Sequence, residues 1–280
     1  KDFKELMFED EMHDHCMECI HDEKINKMSR RQKHMQYDID GGLVRLDYRA
    51  GNKCNMKCRM CGSHSSSLWE EEDGITLPRI DTSDVHDIDF SSLEKVMILG
   101  GEPSVDLEVR KFLDSIKDLD CYIGITTNAT NSSDKWFNTL KQLKKLEIDL
   151  SIDATGDIQD YQRTGGEWSK IKKNIIKYKD TFKNVTIHLT ATAINFPVLD
   201  KWWDELMSFD IDVFFGVVHW PIAMNLDAIP QEYKNYQVAW LNKWIEQKEN
   251  PNYIHLNAVD EAKAILSASK YNANYNKQFK

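Results

Sequence analysis

The sequence predicts an α/β fold built on parallel strands. Three observations predict it: six short segments read as strands, helical segments lie between most of them, and 280 residues are enough for one large core. Six such units build either a partial barrel or an open doubly wound sheet. In both, functional groups gather at the C-terminal ends of the strands.

The elements run in order. Residues 43–48 alternate apolar and polar side chains, as a half-buried strand does. Residues 94–99, 121–126, 146–152, 185–192 and 212–218 are the other five strands. Helices are predicted at 107–117, 133–144, 168–182 and 198–209, with a shorter one at 68–72. In 168–182, Ile171, Ile175 and Tyr178 recur at helical spacing beside lysines. Residues 1–34 read as helical. So do residues 231–280, where Trp240, Leu241 and Trp244 form a stripe that packs on the sheet.

Composition narrows the function classes. Apolar residues make up 41% and charged residues 29%, a globular balance. No apolar run approaches the ~20 residues that span a bilayer, and no signal peptide opens the chain. Lys+Arg is 36 and Asp+Glu is 46, so the net charge is 36 − 46 = −10. That balance argues against general affinity for nucleic acid or anionic lipid, although residues 27–33 and 170–183 are locally basic. The chain opens on Lys1 rather than Met, which suggests a processed product, a trimmed chain or a fragment of a longer protein.

The cysteines carry the chemistry. Six occur, at 16, 19, 54, 58, 61 and 121, five of them in two tight clusters. In a large chain without a signal peptide this points to metal binding in a reducing cytoplasm, not to a disulfide framework. Cys54, Cys58 and Cys61 follow the first strand. Three thiolates within eight residues can fold round one cubic [4Fe–4S] cluster, leaving one iron open to a small molecule. The alternative is a zinc site with His64 as fourth ligand. For Cys16 and Cys19 the alternative is zinc with His13, His15 or His21. Cys121 opens the third strand at the far end of the fold and reads as a buried small hydrophobe.

Further polar residues follow the other strands. Gly100-Gly101-Glu102-Pro103 comes after the second, where glycines let the backbone approach a ligand and Glu102 can accept from an ammonium group. Thr127 and Asn128 end the third. Ser151 and Asp153 end the fourth on one face, suited to ribose hydroxyls, with helix capping as the other reading of Asp153. Thr190, Thr192 and Asn195 close the fifth.

A CxxxCxxC run after the first of six β/α strands, with GGEP after the second, resembles the radical SAM superfamily. The stretch from Tyr161 through Arg163 and Gly165 to Trp168, and the prolines Pro221 and Pro230, resemble its twitch- and SPASM-related branch in bacteria and phages. Cys16-Met17-Glu18-Cys19, Glu23 and Ser29-Arg30-Arg31 resemble the segment preceding the barrel there. The resemblance implies a partial (β/α)6 TIM-like barrel over 41–230, a short cysteine-containing helical remnant over 1–40 and a C-terminal helical extension over 231–280. It implies a [4Fe–4S] cluster on Cys54, Cys58 and Cys61 and S-adenosylmethionine bound by Met60, Gly100, Gly101, Glu102, Pro103, Thr127, Asn128, Ser151, Asp153, Arg163, Thr192 and Asn195. Arg163 would take the methionine carboxylate, and Met60 would pack on adenine where relatives carry an aromatic. Reductive cleavage to a 5′-deoxyadenosyl radical would abstract hydrogen from a substrate. Twitch and SPASM relatives make a peptide or protein the first expectation and a small metabolite or nucleotide the second. A non-catalytic iron–sulfur electron carrier is a third reading, against which the intact cofactor motifs argue. A flavodoxin or ferredoxin would be the reductant. Cys16 and Cys19 would belong to an auxiliary cluster that lacks its upstream cysteines.

Overall fold

The computed structural model describes residues 42–79 and 88–267, together with residues 20, 23, 24, 28, 29, 32 and 85. Cys16, Cys19, most of the helical reading of 1–34, and residues 268–280 lie outside the described residues. Two compact units divide the chain: residues up to Val44 with Asp89–Ser92, and Arg45–Ile88 with those from Leu93 onward. In the first, Ser29 and Gln32 form a reciprocal capping pair. The Gln32 amide donates to Ser29 Oγ at 3.0 Å and the Ser29 amide to Gln32 Oε1 at 3.1 Å. Ser29 Oγ donates to Glu23 at 2.5 Å, so two residues of the N-terminal sequence motif touch.

The second unit is built on a six-stranded parallel sheet. Its strands are β1 (Arg45–Arg49), β3 (Lys95–Leu99), β4 (Tyr122–Thr127), β5 (Lys145–Ser151), β7 (Val185–Ala191) and β8 (Val213–Val217), paired in that spatial order. Every neighbour pair is parallel. β1 and β8 are the two edges and do not pair, so the barrel is partial and open. A two-residue antiparallel pair lies outside this sheet, β2 (Lys57–Cys58) with β6 (Arg163–Thr164).

Period-two alternation explains which face is covered. Val96, Ile98, Ile123, Ile125, Ile148, Leu150, Ile187 and Leu189 are buried at 1% exposure or less. Helices α2 (Leu107–Ile116), α3 (Asp134–Lys141) and α5 (Trp168–Thr181) bury Phe112, Leu113 and Ile116, Trp136, Phe137 and Leu140, and Ile171, Ile175 and Tyr178 respectively. Their starts are marked in sequence: Asp106 accepts from the Glu108 amide and Ser133 from the Trp136 amide. Phe112 stacks on Tyr48 of β1 with ring centroids 3.9 Å apart. The opposite face of the sheet is polar, with Lys95 paired to Glu147 and Thr186 donating to Asp149.

Two features depart from the sequence reading. The helix expected at 198–209 is broken into a 3-10 turn, Phe196–Lys201, and a short helix α6, Trp203–Met207. Pro197 starts the turn and Val198 leaves helical geometry, and both Trp202 and Trp203 then bury fully. A helix not anticipated, α4 (Gly156–Gln162), follows β5, and α1 (Ser67–Glu72) fills the shorter predicted segment. At the C-terminus α7 (Gln231–Glu246) and α8 (Tyr253–Ser267) pack on each other. α7 also packs on the 196–201 turn and α8 on β8. Leu241 and Trp244 are buried in α7 as the stripe predicted, while Trp240 is half-buried.

Phe112→Ala should destabilise the chain by about 3–5 kcal/mol in urea denaturation, the range for a buried aromatic truncation. Leu107→Ala, 48% exposed one turn away, should stay within about 0.5 kcal/mol.

Candidate functional site

All six strands point the same way, so the loops after them meet at one edge of the sheet. The loop after β1 carries the three cysteines and is shaped by its own polar side chains. Ser67 Oγ lies 3.2 Å from the Cys54 amide, from which it accepts. Ser66 Oγ donates to the Met56 carbonyl at 2.6 Å and Trp69 Nε1 to the Cys58 carbonyl at 3.0 Å. Met56 is 1% exposed and turned into the loop. A Cβ at Gly166 would sit 2.3 Å from its terminal methyl, so this glycine makes room for Met56. Asn52 is fixed by Glu70, whose carboxylate also takes the Leu77 amide and Arg79.

The GGEP turn docks on this loop. The Gly101 amide donates to the Gly51 carbonyl and the Glu102 amide to the Lys53 carbonyl at 2.8 Å. A Cβ on Gly101 would fall 2.1 Å from Lys53 O, and one on Gly100, at φ +110°, 2.5 Å from Gly51 O. What approaches these glycines within the protein is the backbone of the cysteine loop. Glu102 is 2% exposed. Its carboxylate accepts from the Ser104 amide, from Thr127 Oγ1 at 2.6 Å and from the Asn128 amide at 2.7 Å. Burial raises its pKa despite these donors. The side chain read as an ammonium acceptor is therefore first a link between β3 and β4. Pro103 is buried at the start of the following 3-10 turn. Asn128 reaches back to the cysteine loop, its Nδ2 donating to Asn55 Oδ1 at 2.9 Å.

After β5 the expected Ser151–Asp153 pair divides. Ser151 is half-buried, and no described residue engages its hydroxyl. Asp153 is fully buried and caps no helix. Its Oδ2 accepts from Arg163 Nε at 2.6 Å, and its Oδ1 from Arg163 Nη2 at 3.0 Å and the Thr190 amide at 2.7 Å. The fork geometry matches a carboxylate with both bonds. Arg163 Nη1 lies 3.9 Å from Cys58 Sγ, and β2–β6 sets the Arg163 backbone opposite Cys58. Burial works against the Arg163 charge, but Asp153 overcomes it and holds the guanidinium above its ordinary pKa. Thr192 and Asn195, both fully buried, tie the β7 end to Asp153 and α4. Asn195 Nδ2 donates to the Asp153 carbonyl at 2.7 Å, and Thr192 Oγ1 donates to Gln162 Oε1 at 2.8 Å. Gln159 Oε1 accepts from the Asp153 and Ala154 amides. Met60 is half-buried in the cysteine loop, and Cys121 is buried beside the opposite end of β4.

The donor set fits a four-iron cluster. Cys54, Cys58 and Cys61 are unpaired thiols of one loop, near enough that charge on Cys54 or Cys61 bears on Cys58. Burial pushes all three thiols up, Cys58 to about 11. Iron would supply the positive charge that offsets this and keeps them as thiolates. Among the described residues no three His, Cys, Asp or Glu converge on a single ion, and His64 is exposed. Thiolates that bind different irons of one cube need not converge on one point.

Several residues of this site were missed in the sequence. Asn55 lies at an unconstrained position of the cysteine motif, and Gln159 and Gln162 lie on a helix whose buried face is polar, so neither left an apolar signature.

Residues 48–209 match the family model of the Radical SAM superfamily. The chain is 29% identical over 159 residues to a probable GTP 3′,8-cyclase of Methanococcus vannielii, covering 55% of this chain and 49% of that protein. It is 25% identical over 229 residues to a GTP 3′,8-cyclase of Clostridium botulinum, covering 72% and 70%. Thus it spans about half the length of the first of these relatives. In fold it is similar to native anSMEcpe with bound AdoMet and Cp18Cys peptide, at TM-score 0.55 and 17% identity, covering 73% of this chain and 61% of that one. Streptococcus suis SuiB bound to precursor peptide SuiA gives TM-score 0.54 at 16% identity, covering 74% and 47%.

Gly101→Ala should cost about 1–3 kcal/mol in denaturant unfolding, because backbone must shift to admit the methyl. Gly51→Ala, where a Cβ meets nothing within 4 Å, should be close to neutral.

Proposed function

The chain belongs to the radical SAM superfamily, and on that footing we propose that it is an enzyme holding a [4Fe–4S] cluster on Cys54, Cys58 and Cys61 and cleaving S-adenosylmethionine. When bound, this pair of cofactors supplies reductive carbon–sulfur cleavage and a 5′-deoxyadenosyl radical that takes hydrogen from a substrate. The observation that carries the proposal is the meeting of the cysteine loop with the GGEP turn, Asn128 and Arg163 at one edge of the sheet.

The chain's own residues orient the cofactor. A guanidinium has five N–H groups. Asp153 and Cys58 take three from Arg163, leaving one on each terminal nitrogen for a carboxylate. Glu102 Oε2 accepts one bond and keeps a lone pair for an ammonium group. The Ser151 hydroxyl suits the ribose, and Met60 suits adenine. Asn195 acts from behind by holding Asp153 in place, and its own side chain accepts from the Thr192 amide.

A peptide is the first substrate proposed. Trp220 and Ile222 follow β8 at the same edge and stay 72% and 61% exposed, and the net charge is −10. Apolar exposure and negative charge suit a peptide better than a triphosphate. A nucleotide is the second reading, favoured by the GTP 3′,8-cyclase relatives. A flavodoxin or ferredoxin would deliver the electron. Cys16 and Cys19 are proposed as ligands of an auxiliary cluster.

Anaerobically reconstituted protein should hold about four irons in the cluster of this site. With dithionite and S-adenosylmethionine it should form 5′-deoxyadenosine. Cys58→Ala should lose the cluster's visible absorption and the product together. Full iron content in Cys58→Ala would overturn the assignment.

A further inference from the structure

Among the described thiols, Cys58 is the one that receives a cationic side-chain donor. β2–β6 places Cys58 and Arg163 in register, and Arg163 Nη1 lies 3.9 Å from Cys58 Sγ. The donor is not free to turn away. Two of the guanidinium's nitrogens are fixed by Asp153, at 2.6 and 3.0 Å. Asp153 is itself fixed on every side. Its carboxylate takes the Thr190 amide, its own amide is bound by Gln159, and its carbonyl is bound by Asn195. The Asp153 side chain is fully buried and that of Arg163 is 12% exposed. Neither water nor salt competes strongly for this pair. By contrast, the polar contact drawn for the Cys61 thiol is to its neighbour, the Gly62 carbonyl.

We infer that Asp153 and Arg163 are a positioning pair for the Cys58 sulfur: they hold one N–H against that ligand and thereby set the reduction potential of the cluster. This rests on the proposed function, and it is separate from any contact of Arg163 with S-adenosylmethionine. Hydrogen bonds to ligating sulfur and nearby positive charge favour the reduced cluster, which carries one more electron. The remaining polar links around Asp153 are the supporting shell that keeps this donor in place, and they explain why so many buried polar groups converge on one carboxylate.

The test is a redox titration of the reconstituted protein followed by EPR, without S-adenosylmethionine, for wild type, Arg163→Met and Arg163→Lys. Both variants should titrate at a more negative potential than wild type. Arg163→Met loses charge and donors. A lysine keeps the charge but cannot bridge Asp153 and Cys58 at once, so Arg163→Lys should fall between the two. If Arg163→Met fails to load iron, Arg163→Lys alone decides. A cluster-bearing wild type whose potential is unmoved in every variant that loads would overturn this inference alone. A wild type that takes up no cluster would overturn the functional reading and this inference with it.

Discussion

The ion pair between Asp153 and Arg163 is the interaction on which the rest of this site depends. It is a buried bidentate pair, and removing one partner of such a pair costs about 3–5 kcal/mol because the other is left charged and unmatched. From it the polar links run outward in both directions. Asn195 and the Thr190 amide bind it to β7, Gln159 to α4, and Arg163 to Cys58 and so to the loop after β1. The loop in turn is joined to β3 through Gly101 and Glu102 and to β4 through Asn55 and Asn128. Five strand ends are thus connected through one cysteine loop. Each neutral hydrogen bond contributes only about 1 kcal/mol. Their joint effect is geometric, since none of these five strand ends can move without breaking one of the links.

The sheet below makes such a network affordable in structural terms. Its covered face is aliphatic, with helices supplying large side chains such as Phe112, Trp136 and Tyr178. Tyr178 belongs to both layers. It packs against Phe137 while its hydroxyl accepts from Trp136 and donates to the Asn131 carbonyl, in the loop after β4. Burial holds its phenol well above the ordinary range, so it stays a neutral donor. The apolar layer therefore anchors the loops as well as the strands.

Much of this was legible in the sequence, for physical reasons. All six strands announced themselves by alternation or β-branched runs. The parts that were not legible lack such signals. The buried face of α4 is Gln159 and Gln162, which no hydrophobic period reveals. The β2–β6 pair is two residues long on each side and depends on a tertiary encounter. The glycines of the GGEP turn stood out in the sequence, but their packing on the cysteine loop did not, because a close approach to backbone and a close approach to ligand look alike in sequence. Asp153 and Ser151 share a sequence pattern and differ in burial, which only packing decides.

The central claim is that three thiols leave one iron open to S-adenosylmethionine beside Arg163. EPR spectra of the dithionite-reduced protein with and without S-adenosylmethionine test it most directly. The account predicts a four-iron signal whose shape changes when S-adenosylmethionine is added, because the open iron gains ligands. A cluster signal that is identical in both samples would contradict it.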